Sequence, residues 1–172
     1  GVVAGQKIKL FFNQLVRSNQ GERNIEDLPL PLSIIATDIG NGDRVVFRDG
    51  SLTKAMRASM SVHGLLAPVD HQGRKLVDGG LVDNVPISEV KARCSADVVI
   101  AVNVGSPLLK AESVGSLLTV SAQMVNILTE QNVTRSLTLL TPKDVYIKPD
   151  LDGISAGDFP SHAETADRGR VA

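Results

Sequence analysis

Leu76-Val77-Asp78-Gly79-Gly80-Leu81-Val82-Asp83-Asn84-Val85-Pro86 reads as a short apolar strand, a carboxylate at its mouth, and a glycine-hinged passage into a helix opened by Pro86. The paired glycines mark backbone that must bend tightly or be approached closely by another group. A carboxylate held there is a candidate general base, and the partner it needs is a serine on a tight strand-to-helix elbow. The plain alternative is an Asp-Gly turn, a common use of that dipeptide.

The elements on either side alternate between strand and helix. Upstream, residues 65–69 and 75–77 read as short strands joined by the turn Asp70-His71-Gln72-Gly73, which makes His71 a solvated turn residue. Before them, residues 32–39 read as a buried strand, Gly40-Asn41-Gly42-Asp43 as a hairpin turn, and residues 44–48 as the returning strand. Ser51 caps a helix that begins near Leu52 and turns Leu52, Ala55, Met56 and Ser59 to one side. Ile8, Phe11, Phe12, Leu15 and Val16 recur at helical spacing and predict an amphipathic first helix.

Downstream, the Pro86 helix runs to about Cys94. Residues 97–104 then give the strongest strand, with Val98-Val99-Ile100-Ala101-Val102 apolar without alternation. Such a run predicts burial on both faces, as in a parallel sheet with helices over it. A long amphipathic helix is expected over residues 112–136, a short strand at 145–147, and a terminal helix after Ser161. Interleaved in this way, residues 1–172 read as a single α/β layered domain.

Composition narrows the function. The chain has 172 residues, 42% hydrophobic and 22% charged, enough for a sizeable core. A net charge of −1 and 3% aromatics, with no Trp, argue against a nucleic-acid partner, which wants a basic field and stacking platforms. Cys94 is the single cysteine, so neither a disulfide within the chain nor a cysteine-based zinc site is available. The three histidines lack metal-ligand spacing, and no metal or other cofactor is called for. No apolar run approaches the roughly 18 residues of a membrane span. The chain opens on Gly1 rather than Met, which reads as a processed or cut chain.

The order of blocks adds a resemblance. Arg57-Ala58-Ser59-Met60-Ser61-Val62, then Pro68-Val69, then Asp78-Gly79-Gly80 with Asn84-Val85-Pro86, resembles the patatin-like phospholipases, whose pattern is A-S-x-x-x-P-x-x-x-x-P-V followed by D-G-G/A-x-x-x-N-x-P. Ala36-Thr37-Asp38 with Gly42, and residues 96–102, look similar too, so the likeness covers about residues 1–150. It implies a three-layer α/β/α hydrolase fold, here the C-terminal portion, with the N-terminal part that carries the nucleophile elbow absent. It implies acyl-ester hydrolysis by a Ser-Asp dyad with Asp78 as the aspartate, and Gly79, Gly80 and Asn84 as its supporting loop. Its implied partners are a lipid or phospholipid substrate at a membrane surface, and a missing N-terminal segment that bears the serine. The tail, with residues 124–132 and Pro142-Lys143-Asp144-Val145, looks like patatin domains of larger bacterial proteins, some exported and attached to an outer-membrane barrel.

Two departures stand out. No G-x-S-x-G elbow and no glycine-rich oxyanion loop occur upstream of Asp78, and His63 stands where the family usually has Pro. Both favour a rival reading as a non-catalytic homologue that binds lipid or a partner. Gly153-Ile154-Ser155-Ala156-Gly157 matches the elbow as a pattern, and a small esterase using Ser155 is the third reading. Its flanks, Pro149-Asp150 and Asp158-Phe159-Pro160, are not a strand and a helix as an elbow requires. A triad of Ser61 or Ser155 with His63 and Asp78 is formally open. Ser59 and Ser61 are better read as ending a helix by bonding backbone, and Asp83 as capping the helix that follows it.

Overall fold

The computed structural model describes residues 6–16, 22–62, 66–154 and 159–172. The chain divides into two compact units, Gly1–Asp83 and Asn84–Ala172. Both mix helices and strands, the α/β class expected from the alternation of patterns.

The first unit runs α1 (Gln6–Leu15), β1 (Ile34–Asp38), β2 (Arg44–Phe47), α2 (Leu52–Ser59), β3 (Val69–His71), β4 (Arg74–Asp78) and α3 (Gly80–Asp83). Its four strands form one sheet in the order β2-β1-β4-β3, with every neighbouring pair antiparallel. Ala36, Phe47 and Leu76 from the strands meet Leu52, Ala55 and Ala58 of α2 and Ile25 in the core. β1 lies inside the sheet, and Ile35, Ala36, Thr37 and Asp38 are buried in succession. Ser51 is the α2 cap, its side chain accepting the Lys54 N–H.

The β3–β4 turn is tighter than the sequence predicts. Gln72 (φ 48°) and Gly73 (φ 76°) both take the left-handed backbone of a two-residue hairpin loop. His71 is therefore the end of β3 and not a solvated turn residue. It lies edge-on to Phe47, with ring centroids 4.9 Å apart. Its Nδ1 is buried without a partner among the described residues. Burial, then the nearby charges of Lys54 and Arg74, hold its pKa below the usual histidine value.

The second unit contains α4 (Ile87–Arg93), β5 (Ile100–Val102), α5 (Leu117–Leu137), β6 (Val145–Ile147) and α6 (His162–Arg170). β5 and β6 pair in parallel, with Ile100 opposite Val145 and Val102 opposite Ile147. Val85, Ile87, Ala101 and Val133 form the core, backed by Leu137 and Leu140.

Two expectations fail in this unit. The strand at 97–104 is not buried on both faces: Val99, Ala101 and Asn103 are buried, while Val98, Ile100, Val102 and Val104 are exposed. The side carrying Ala101 meets α4 and α5 residues, and the alternate side chains meet no such cover among the described residues. Nor is α5 amphipathic with its leucines inward. Leu117 and Leu118 are more than three-quarters exposed, and the helix buries Asn132 and Val133 instead. It starts later than expected, at a reciprocal capping box between Ser116 and Thr119.

Asp144 staples this unit. Its carboxylate accepts the backbone N–H of Val99 at 2.8 Å and of Thr141 at 2.7 Å, the Thr141 hydroxyl at 3.0 Å, and Lys91 Nζ at 3.1 Å. These bonds, led by the Thr141 and Val99 N–H groups, hold its pKa well below the usual carboxylate range. Among the described residues, no helix is long and apolar enough to cross a membrane.

Candidate active site

Asp78 is the last residue of β4, opposite Ala36 of β1, and the chain leaves it directly into α3. Three backbone bonds fix this junction. The Asp78 N–H donates to the Ser61 carbonyl at 3.2 Å, and the Gly79 N–H to the Ser59 carbonyl at 3.4 Å. The Asp78 carbonyl accepts the hydroxyl of buried Thr37 at 2.7 Å. Strand and helix end thus hold the aspartate from two sides.

Gly79 is required by closeness rather than by an unusual φ. A Cβ built on it would lie 2.3 Å from the Ile35 carbonyl oxygen, inside the contact distance of any real side chain. Only a residue without a Cβ lets β4 pass β1 here and turn into the helix. Val82 and Asp83 then return their N–H groups to the Gly79 carbonyl at 3.1 and 3.0 Å, closing α3.

The Asp78 side chain is half-buried. Its Oδ1 accepts the Gly80 N–H at 2.7 Å, and Oδ2 has no hydrogen-bond partner among the described residues. Burial raises the carboxyl's pKa above its ordinary value, and the Gly80 bond pulls in the opposite direction. One oxygen is oriented and the other is available, with an affinity for protons above that of a solvated aspartate. Those are the properties a general base needs. Capping α3 is the plain structural role, and it uses Oδ1 alone.

The remaining sequence candidates separate. Asp83, read as a helix cap, pairs its carboxylate with Arg44 Nη1 at 2.5 Å and ties α3 back to the first hairpin. Its partner stands 39 residues earlier, beyond any local pattern. Asn84, expected to tie the Asp78 loop through its side chain, donates its backbone N–H to Asn132 Oδ1 at 2.9 Å. Asp38 accepts the Gly40 N–H at 2.9 Å, as a strand-end turn residue does. Ser61 closes α2 by donating to the Arg57 carbonyl at 2.9 Å, the backbone role read for it. His63 and Ser155 lie outside the described residues.

Among the described residues, no group of three or more His, Cys, Asp or Glu is placed to hold a metal ion. The second unit carries a groove of about 420 Å³ lined by Leu108, Ile127, Glu130, Gln131, Thr134 and Arg135. It offers no serine or histidine to a reaction.

Residues 3–91, a stretch that contains the whole Asp78 junction, match the family model of patatin-like phospholipases. The chain belongs to the patatin-like phospholipase family. Similar proteins include an uncharacterized NTE family protein of Mycobacterium tuberculosis, 39% identical over 103 residues, which cover 60% of this chain and 27% of that protein. Lysophospholipase NTE1 of Yarrowia lipolytica is 42% identical over 95 residues, covering 55% of this chain and 7% of its own length. Patatin-like phospholipase domain-containing protein 7 of Mus musculus is 42% identical over 97 residues, with the same 55% and 7%. The chain thus spans between 7% and 27% of the length of these relatives. The patatin match ends within α4, so α5 and its exposed leucines lie beyond it.

Two residues at the junction escaped the sequence reading: Thr37, whose hydroxyl holds the Asp78 carbonyl, and Arg57, which is buried. No local signal marks Arg57: an arginine beside an apolar helix stripe ordinarily lies in solvent.

Proposed function

We propose that this chain supplies the aspartate of a Ser-Asp dyad in a serine acyl hydrolase acting on lipid acyl esters, with the serine contributed from outside these 172 residues. The observation that carries the reading is Asp78 itself: a half-buried carboxylate at a strand end, one oxygen oriented by Gly80, its pKa raised by burial. Similarity to a protein named a lysophospholipase and to one named a patatin-like phospholipase domain-containing protein supports the substrate class.

The chemistry follows from that state. As the serine oxygen bonds to the acyl carbonyl carbon, its proton passes to Asp78. Collapse of the tetrahedral adduct breaks the bond to the leaving alkoxide, which takes the proton from Asp78 and departs as the alcohol. Water then attacks the acyl-enzyme in the same way, giving up a proton through Asp78 to the departing serine oxygen. Backbone N–H groups of a glycine-rich loop would stabilise the oxyanion, and no such loop precedes Asp78 here.

Two features support a serine-bearing segment that docks on this chain. β5 and β6 are a parallel pair, and parallel strands are ordinarily buried in larger sheets. One face of β5 presents Val98, Ile100, Val102 and Val104 to solvent. A non-catalytic homologue that binds lipid or a partner is the second reading, favoured by His63 in place of the usual Pro.

The test pairs mass with activity. The purified protein is weighed intact to detect a second polypeptide and assayed for p-nitrophenol release from a medium-chain acyl ester, with Asp78→Asn and Ser155→Ala beside it. Where the preparation holds a second, serine-bearing polypeptide, turnover that Asp78→Asn lowers by about 10³-fold and that Ser155→Ala leaves intact is expected; the 172-residue chain by itself should show none. Wild-type turnover in Asp78→Asn overturns the dyad. Loss in Ser155→Ala moves the nucleophile to the tail.

A further inference from the structure

The bonds that hold the Asp78 backbone lead back to one buried cation. Arg57 lies in α2 with only 5% of its surface exposed. Its Nη1 donates to Ser61 Oγ at 2.6 Å and its Nη2 to the Ala67 carbonyl at 2.9 Å. Ser61, 1% exposed, sends its own hydroxyl proton to the Arg57 carbonyl at 2.9 Å. The Ser61 hydroxyl is thus pinned as acceptor and donor by one residue, and the last turn of α2 is closed around it. The backbone carbonyls of that turn are the acceptors for β4: Ser61 O for the Asp78 N–H and Ser59 O for the Gly79 N–H.

Those two bonds measure 3.2 and 3.4 Å, at the long end for N–H···O. Long bonds lose alignment with small movements of the acceptor, so they hold only if the acceptors are themselves fixed. Burying an arginine is costly unless it is hydrogen-bonded, and burial alone already lowers its pKa. A planar guanidinium reaches two acceptors at a fixed angle, Ser61 Oγ and Ala67 O, which a lysine ammonium on a flexible stem does not reproduce.

We propose that Arg57 is a positioning residue for the Asp78 base, its guanidinium acting through Ser61 to fix the Ser59 and Ser61 carbonyls, at and just past the end of α2, that set the Asp78–Gly79 backbone. This rests on the reading of Asp78 as the base. Arg57 need not touch substrate. Its effect is geometric, and a displacement of about 1 Å at a reacting group costs as much as 10²-fold in rate.

Ser61→Ala and Arg57→Lys are assayed in the intact protein for kcat and KM, beside Asp78→Asn, and amide hydrogen exchange is followed in the same preparations. Ser61→Ala should lower kcat about 10-fold or more with KM unchanged, and Arg57→Lys at least as much. Exchange should quicken at the Asp78 and Gly79 amides while the β1 amides keep their protection. Should Arg57→Lys fail to fold, Ser61→Ala carries the test. An inactive Asp78→Asn beside a Ser61→Ala enzyme with wild-type kcat overturns the clamp and leaves the base reading standing. Exchange that quickens uniformly through the first unit overturns it as well, since the pair would then be merely structural. Full activity in Asp78→Asn overturns the base reading, and the catalytic role of the clamp with it.

Discussion

β1 and β5 are both apolar strands, and their surroundings differ. β1 has a partner on each edge, and four successive residues, Ile35 to Asp38, are buried. β5 has one partner among the described residues, and its side chains alternate, Ala101 buried at 4% and Ile100 exposed at 64%. Successive side chains of a strand point to opposite faces, so continuous burial needs cover on both. Apolar sequence tells what surroundings a strand suits. Burial tells what surroundings these residues supply. In the first unit the two agree, and in the second they do not.

The sharpest way to break the first unit is at the crossing that lets β4 leave the sheet. Gly79→Ala puts a methyl where the Ile35 carbonyl oxygen stands 2.3 Å away, and both parties are backbone. Overpacking of this kind, with no flexible side chain to yield, should cost about 3 kcal/mol or more. Urea unfolding followed by circular dichroism measures it. A cost under about 1 kcal/mol would mean that β4 and β1 separate easily there, and that Asp78 is not rigidly held.

The corresponding break in the second unit is at Asp144. Asp144→Ala removes the acceptor of the Val99 and Thr141 N–H groups and of Lys91 at once. The expected result is loss of exchange protection in β5 and β6 with β1 and β4 unaffected. The sign with pH follows from the depressed pKa. The Asp144 contribution is fully present above its ordinary value of 3.8 and is lost as pH falls below that value toward the folded one. Exchange protection in β5 and β6 that Asp144→Ala leaves unchanged would remove Asp144 as the staple.

How far the sequence disclosed this contrast depended on the range of the interactions. The Ser51 cap, the Gly40–Asp43 turn, the end of a strand at Asp78 and the terminal helix after Ser161 are encoded within a few residues, and all four were legible. The β3 boundary was not, because the positive φ of Gln72 that tightens the turn has no strong local mark. Neither was the Arg44–Asp83 pair, 39 residues apart. Arg57 was invisible for another reason: an arginine beside an apolar helix stripe ordinarily lies in solvent, and nothing local announces the Ser61 and Ala67 acceptors. At the candidate site, Asp78, Gly79 and Gly80 were legible as a motif. The groups that hold them were not.

A smaller effect is expected at Asp78. Burial raises its pKa, so the folded state favours the protonated acid. That contribution to stability is present below the unfolded pKa and is lost as pH rises through the folded one. At neutral pH the ionised carboxylate therefore detracts from stability. Asp78→Asn keeps an Oδ1 to accept the Gly80 N–H and carries no charge, so the melting temperature at pH 7 should stay level or rise slightly, with the gain shrinking as pH falls through the raised folded pKa and levelling off below the ordinary carboxylate value of 3.8. A clear drop in melting temperature at pH 7 would mean that the ionised form is stabilised in the fold by a partner, and that the base is less readily protonated than its burial implies.

The smallest effect is at the exposed face of β5, and it bears most directly on the contrast between the two strands. Ile100→Thr keeps a β-branched side chain suited to a strand and removes apolar surface that is already 64% exposed. In this chain by itself the change should fall within about 0.5 kcal/mol of neutral by urea unfolding. The same change at a residue buried on both sides, where a hydroxyl must be desolvated, costs about 1 to 3 kcal/mol. If a serine-bearing segment covers β5, then Ile100→Thr in the complete assembly should move from the first range into the second. A cost above about 1.5 kcal/mol in the isolated chain would mean that copies of this chain already cover the face. Equal and negligible costs in both settings would leave β5 bare in the working protein, and the docking of the nucleophile segment would have to be sought on another surface.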